Sequence, residues 1–277
     1  MKRIIILLSL FLSSFALAIP QKYLDLLPYV IQAPDQGETN TCLFVGSTGA
    51  MEIIANKKHN LTYQGFGSQF DISERFLISA PNGPYSRTWY ENPVLKFNRG
   101  QAIQSKVLPF EAWIDGQINY SVWNYPRDFD NLPRINVPEI ETEKLFIKGG
   151  KWDTRVLNDD DIKTIKEALV KYNAPVLVNY NDEYYWHVVL IVGYEDGKKG
   201  ECYDVEDESE CRGLGSFFVR DSFGVKFEIR DYDWFKIKGN AAFVVKEKSK
   251  GKTKSAQLLE EKYFQDFIEL YHPINRN

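Results

Sequence analysis

Cysteine and histidine are both scarce, with three of each among 277 residues. An odd number of cysteines cannot all pair with one another, so one thiol is left over. The net charge is -4 with both signs interspersed, and the lack of a basic stripe argues against a nucleic-acid partner. Long hydrophobic runs are missing apart from residues 4–15, which fall short of the ~20 residues a comfortable membrane span needs. No stable membrane anchor is therefore expected. No cysteine stands just after residue 18 to carry a lipid, and no internal repeat is evident.

The apolar run has a purpose of another kind. Lys2 and Arg3 precede it, and Ala16-Leu17-Ala18 follows as a small-x-small cleavage site. Residues 1–18 thus read as a signal peptide cleaved after Ala18, and the expected location is secreted or periplasmic. Cys202 and Cys211 bracket a short acidic segment. In an oxidising compartment they are expected to form a disulfide, which leaves Cys42 as the odd thiol. Residues 19–245 suit one large domain or two tightly joined halves. Residues 246–277 read as a charged linker followed by a helix over 256–271.

The pattern predicts a buried helix over 42–57, a short helix over 72–79 capped by Ser73, and an amphipathic helix over 159–172. A further helix is expected over 93–98, after a loop at 80–93. Strands are predicted over 174–180, 186–194, 215–220 and 241–245, with 234–237 another candidate strand. No element is assigned within 114–138, which holds three prolines. Helices dominate the first half and strands the second, so the expected class is α+β with a seam between the halves.

Cys42 opens the first of these helices. Three polar residues, Thr39, Asn40 and Thr41, precede it and can cap the helix. A helix N-terminus favours thiolate over thiol, and Gln36, six residues upstream, offers a side-chain amide. Thiolate, helix dipole and amide donor are the parts needed for acyl transfer. Of the histidines, His59 lies in a polar loop and His272 precedes Pro273. His187 alone sits in an apolar strand, YYWHVVLIVGY, and Asp221 ends the next one, FFVRDSFG.

Read together, QGETNTC, ISERFL, Leu108-Pro109-Phe110-Glu111, HVVLIVGY and DSFG follow one another in the order of the corresponding segments of the papain family of cysteine peptidases. The chain resembles that family from about residue 20 to residue 245. The resemblance implies a papain-like fold, with the central helix starting at the nucleophile Cys42. An antiparallel β half would carry His187 as acid–base partner, with the site in the seam. It implies that Asp221 orients the imidazole and that Gln36, with the Cys42 backbone N–H, forms the oxyanion hole. Peptides or proteins are the implied substrates, with no cofactor or metal, and the chain is expected to act as a monomer.

There are departures from the family's pattern. Thr39-Asn40-Thr41-Cys42-Leu43 stands where the family has cysteine-glycine-serine-cysteine-tryptophan, Asp221 stands in place of asparagine, and Phe223 in place of tryptophan. Residues 19–35 form a lead-in too short for an independent inhibitory domain, so no conventional zymogen is expected. An aspartate in the third position also suits peptidases that process double-glycine leaders. A cysteine-type cell-wall amidase would need a second histidine that has no evident counterpart. An inactive papain fold used for binding would be expected to lose Cys, His or Gln, and all three are present.

Overall fold

The computed structural model describes residues 19–62, 70–79, 100–124, 126–148, 153–182 and 185–248. In chain order the strands are β1 (Lys22–Tyr23), β2 (Gln101–Ala102), β3 (Trp113–Ile114), β4 (Gln117–Ile118), β5 (Ile135–Asn136), β6 (Ile140–Ile147), β7 (Val176–Asp182), β8 (Tyr185–Asp196), β9 (Gly215–Arg220), β10 (Glu228–Asp231) and β11 (Gly239–Glu247). The helices are α1 (Cys42–Lys58), α2 (Glu74–Ser79), α3 (Asp159–Tyr172) and α4 (Tyr232–Lys238).

The larger sheet runs β10-β9-β8-β7-β11-β6, antiparallel throughout. β1 pairs with Tyr194 and Glu195 of β8, beyond the point where β7 has left that edge. Every residue of β9 is buried, which is why β8 and β9 read as near-continuous apolar runs rather than alternating ones. Helices cover the sheet: α1 lies against β8, β7 and β11, while α3 and α4 pack on β11 and its neighbours. The fold is α+β with a multi-strand antiparallel sheet, as the residue pattern predicts.

Helix α1 is buried along almost its whole length, from Cys42 to Asn56. A helix that is apolar all round belongs inside a domain. Gly46 lets it press on the sheet, since a Cβ there would stand 2.9 Å from Leu177 Cδ2. The predicted cap is not formed: Thr41 makes no side-chain bond to the helix. Its hydroxyl lies 2.9 Å from that of Thr39, and Thr39 Oγ1 donates to the Gln36 carbonyl at 2.7 Å. The polar residues brace the loop from Gln36 instead. Ser73 likewise gives its hydroxyl to the Leu108 carbonyl. Helix α3 is built as its sequence implies, with an Asn158–Asp161 capping box and Asn173 in the left-handed region at φ 47° to end it.

Residues 234–237, expected as a strand, are helical. The Asp231 side chain accepts from Asp233 N at 2.9 Å and starts α4. Tyr232, Trp234, Phe235 and Ile237 are all buried, and in so short a segment the one polar pair at helical spacing, Asp233 and Lys236, is too little to reveal a helical period. Residues 114–138 are mostly irregular but hold β4 and β5, and β3–β4 form a hairpin around Asp115 and Gly116, both at positive φ (50° and 74°). Strands β6 and β10 had no sequence assignment. β11 continues to Glu247, past the boundary expected at residue 246, and Lys248 N bonds to the Glu139 carbonyl at 2.9 Å; the rest of the expected linker lies outside the described residues. The expectations for 1–18, 80–98 and 256–271 lie outside the described residues.

Candidate active site

Cys42 is the first residue of α1, a buried free thiol. Its place is fixed by Arg220, the last residue of β9. Arg220 Nη1 donates to the Val45 carbonyl at 2.8 Å, Nε to the Ile31 carbonyl at 2.9 Å, and Nη2 to Glu52 Oε2 of α1 at 3.3 Å. The guanidinium passes over Gly49, where any side chain would collide with it. The strand that ends at Arg220 therefore clamps the helix that starts at Cys42, and the next residue along that strand is Asp221.

His187 lies on β8, opposite Tyr180 of β7, and is only 2% exposed. Its Nε2 stands 2.7 Å from Asp221 Oδ1, which also accepts from Ser222 N at 2.6 Å. Phe223 covers the ring, stacked at 5.4 Å between centroids and within 1° of parallel, and Tyr180 packs at 5.2 Å. With Nε2 engaged by Asp221, Nδ1 is the nitrogen left for Cys42, to which the imidazole is coupled both by charge and by a hydrogen bond. Burial alone would push the His187 pKa down; the charges of Cys42 and Asp221 override it and raise it to about 10. Burial would push Asp221 up, but the imidazolium, its hydrogen bond and Arg230 hold it down at about 2.

Gln36 is tied to the same turn. Its backbone N donates to the Ser222 carbonyl at 2.8 Å, and Asp35 bridges to Phe223. Its side-chain Oε1 is buried without a hydrogen-bond partner among the described residues. Trp113 Nε1 of the β3–β4 hairpin donates to Asp35 Oδ2 at 3.1 Å, so the hairpin holds this segment from outside. Cys202 and Cys211 form the expected disulfide. His59 stacks on Phe70, centroids 4.9 Å apart, away from these residues in the chain; His272 lies outside the described residues.

One residue escaped the sequence reading. Arg230 of β10 donates through Nη2 to Asp221 Oδ2 at 2.5 Å. The segment Glu228-Ile229-Arg230-Asp231 has no assignment from the sequence, and nothing in its composition signals that the arginine is buried. Among the described residues, no group of three or more His, Cys, Asp or Glu side chains is placed to hold a metal ion.

No protein-family model matches the chain, and no curated protein matches it. Solved structures do. The bromelain protease of Ananas comosus superposes with a TM-score of 0.52 at 12% identity, over 83% of this chain and 100% of its own. The digestive procathepsin L2 proteinase from the larval midgut of Tenebrio molitor gives 0.51 at 15% identity, over 84% of this chain and 70% of its own. The clostridial cysteine protease Cwp84 after propeptide cleavage gives 0.51 at 16% identity over 82% of this chain. The present chain spans 58% of that protein's length. The fold is that of papain-like cysteine proteases.

Proposed function

We propose that the chain is a cysteine-type peptidase acting on peptides or proteins, with Cys42 as nucleophile, His187 as acid–base and Asp221 as the group that orients the imidazole. The observation that carries this reading is the imidazole of His187, bonded through Nε2 to Asp221 at 2.7 Å and coupled through its other side to the free thiol at the start of α1. The papain-like fold supports it, since the clostridial protein that shares it is a cysteine protease and bromelain is a protease.

In this reading the Cys42 thiolate attacks the scissile carbonyl carbon. The Gln36 side-chain amide and the Cys42 backbone N–H hold the oxyanion. His187 passes its Nδ1 proton to the leaving amine, and the acyl group stays on sulfur as a thioester. His187 then takes a proton from water, whose oxygen attacks the thioester and releases the acid. Gln36 Oε1 is buried with no hydrogen-bond partner among the described residues, and in this reading the Nε2 end of the same amide donates to the oxyanion.

The catalytic domain spans 19–245 and acts outside the cytoplasm, after removal of residues 1–18. The Cys202–Cys211 disulfide supports an oxidising compartment, and among the described residues no helix is long and apolar enough to cross a membrane. Two measurements test the reading. Cys42→Ala should abolish cleavage of a denatured protein substrate while leaving the circular dichroism spectrum unchanged. Iodoacetamide should label Cys42 at about pH 6, where an ordinary thiol is inert. Wild-type turnover in the alanine variant would refute the assignment.

A further inference from the structure

The site contains a buried cation that the steps above do not use. Arg230 is 0% exposed. Its Nη2 donates to Asp221 Oδ2 at 2.5 Å and to Glu228 Oε2 at 2.8 Å, and its Nε reaches the same glutamate oxygen at 3.2 Å. Three rings box it in: Trp234 at 4.7 Å, Tyr203 at 5.1 Å and Tyr180 at 5.6 Å from the guanidinium carbon. The box is itself fastened. Trp234 Nε1 donates to the Tyr203 carbonyl at 2.9 Å, and Tyr203 Oη donates to Glu228 Oε2 at 3.3 Å. Tyr203 follows Cys202, so the disulfide closes the loop that carries it.

Resting on the reading of Cys42, His187 and Asp221 given above, we propose that Arg230 is a positioning residue of this site: its guanidinium neutralises Asp221 and fixes which carboxylate oxygen faces His187. A carboxylate has two equivalent oxygens and a soft terminal torsion. Here Arg230 holds Oδ2 while Ser222 N and the imidazole share Oδ1, so the group has one orientation. The charge matters as much as the aim. An aspartate alone beside the imidazolium would make the ring hold its proton too firmly to hand it to a leaving amine. With Arg230 on its far side, shared with Glu228, part of the Asp221 charge is offset, and the imidazole meets a weaker negative charge than aspartate alone would present.

Cys42 and Asp221 face His187, with Tyr180 packed on its ring. Asp221, Glu228, Tyr203 and Tyr180 face Arg230. Glu228 shares the guanidinium with Asp221, so Arg230 neutralises the pair of carboxylates only in part, and its effect on His187 is the quantity to measure.

The test follows the His187 imidazole by NMR titration in the full chain carrying Cys42→Ala, which removes the thiolate from the comparison. With three histidines in the chain, His59 and His272 serve as internal references. Arg230→Met should raise the His187 midpoint by about one pH unit or more, a tenfold change in proton affinity. Arg230→Lys should keep it near the parent value. A second comparison does not need Arg230→Met to fold alone. Asp221→Asn leaves the guanidinium unbalanced and should lower the midpoint, and adding Arg230→Met to it should raise the midpoint again. A His187 midpoint indifferent to Arg230 in both comparisons would overturn the proposal. If His187 responds as expected in a wild-type-derived chain that cleaves no peptide, the placement of Arg230 stands and the peptidase reading falls.

Discussion

His187 is pulled in opposite directions, and the balance sets an observable limit. Burial resists its charge, while Cys42 and Asp221 favour it strongly enough to bring its pKa to about 10. The thiolate–imidazolium pair should thus survive well into the alkaline range. The kcat/KM profile for peptide cleavage should fall only near pH 10, and Asp221→Ala, which removes the charge holding the proton, should move that limb downward. An unchanged limb would mean that Asp221 merely completes a turn. Asp221→Asn is less benign than its isosteric shape suggests, because it leaves a buried guanidinium with Glu228 alone, and breaking one partner from a buried pair is costly. Cys42, His187, Asp221 and Gln36 could be singled out as candidates because their segments follow one another in the papain order, with Cys42 opening an apolar helix and Asp221 ending an apolar strand. Arg230 could not, since a charged side chain in a short strand carries no sign of whether water reaches it.

The β3–β4 hairpin shows what a local signal can do when it is weighed properly. Asp115-Gly116 lies between Trp113–Ile114 and Gln117–Ile118, the dipeptide that favours two-residue hairpin turns with both residues at positive φ. The prolines around it masked that signal. Its consequence reaches the site: Trp113 bonds to Asp35, and Gly37, at φ +50°, has Ile118 Cδ1 only 2.8 Å from where a Cβ would stand. The hairpin therefore packs on the segment that presents Gln36. Trp113→Phe keeps an aromatic side chain but removes the indole N–H and its hydrogen bond to Asp35, worth on the order of 1 kcal/mol. It should lower kcat by about fivefold, with KM little changed, if its role is to hold Gln36. A loss confined to KM would place Trp113 on the substrate instead. The disulfide loop is the other element with a definite expectation. Its cysteines are 9 residues apart, and closing so short a loop contributes about 2–3 kcal/mol. Cys202→Ser with Cys211→Ser should lower the stability measured by urea unfolding by that amount, and non-reducing peptide mapping of the parent should recover the linked pair.

Across the whole molecule, the two halves meet through charges sealed from water. Arg220 of β9 pairs with Glu52 of α1 at 3.3 Å, and Glu52 Oε1 accepts from Ile72 N at 2.9 Å, next to the start of α2. Glu74, the first residue of α2, is buried nearby. The overall class was readable because the apolar periods differ between the halves, whereas this cluster was not: glutamates at the start of α2 and inside α1 read as ordinary helix formers. One arginine cannot balance two buried carboxylates and Asp71 as well. Burial pushes Glu74 up to about 7, and Arg220 offsets that only in part. Glu52 is raised in the same direction, again by burial first. The sign follows from linkage. A carboxyl whose folded pKa is raised binds its proton more tightly folded than unfolded, so the stability it contributes is complete below its ordinary 4.5 and is lost as pH rises through about 7. Asp221, held at about 2, works the other way, with a contribution that is present above its ordinary 3.8 and lost as pH falls through about 2. Between them lies a mildly acidic region in which both groups are at their most favourable. Urea unfolding should therefore show stability declining between about pH 5 and pH 8 by up to about 3 kcal/mol. Glu74→Gln, which keeps the shape and cannot ionise, should flatten that decline while leaving the pH profile of Cys42 alkylation in place. A decline of the same size in the glutamine variant would move the effect to Glu52 or to groups outside this cluster.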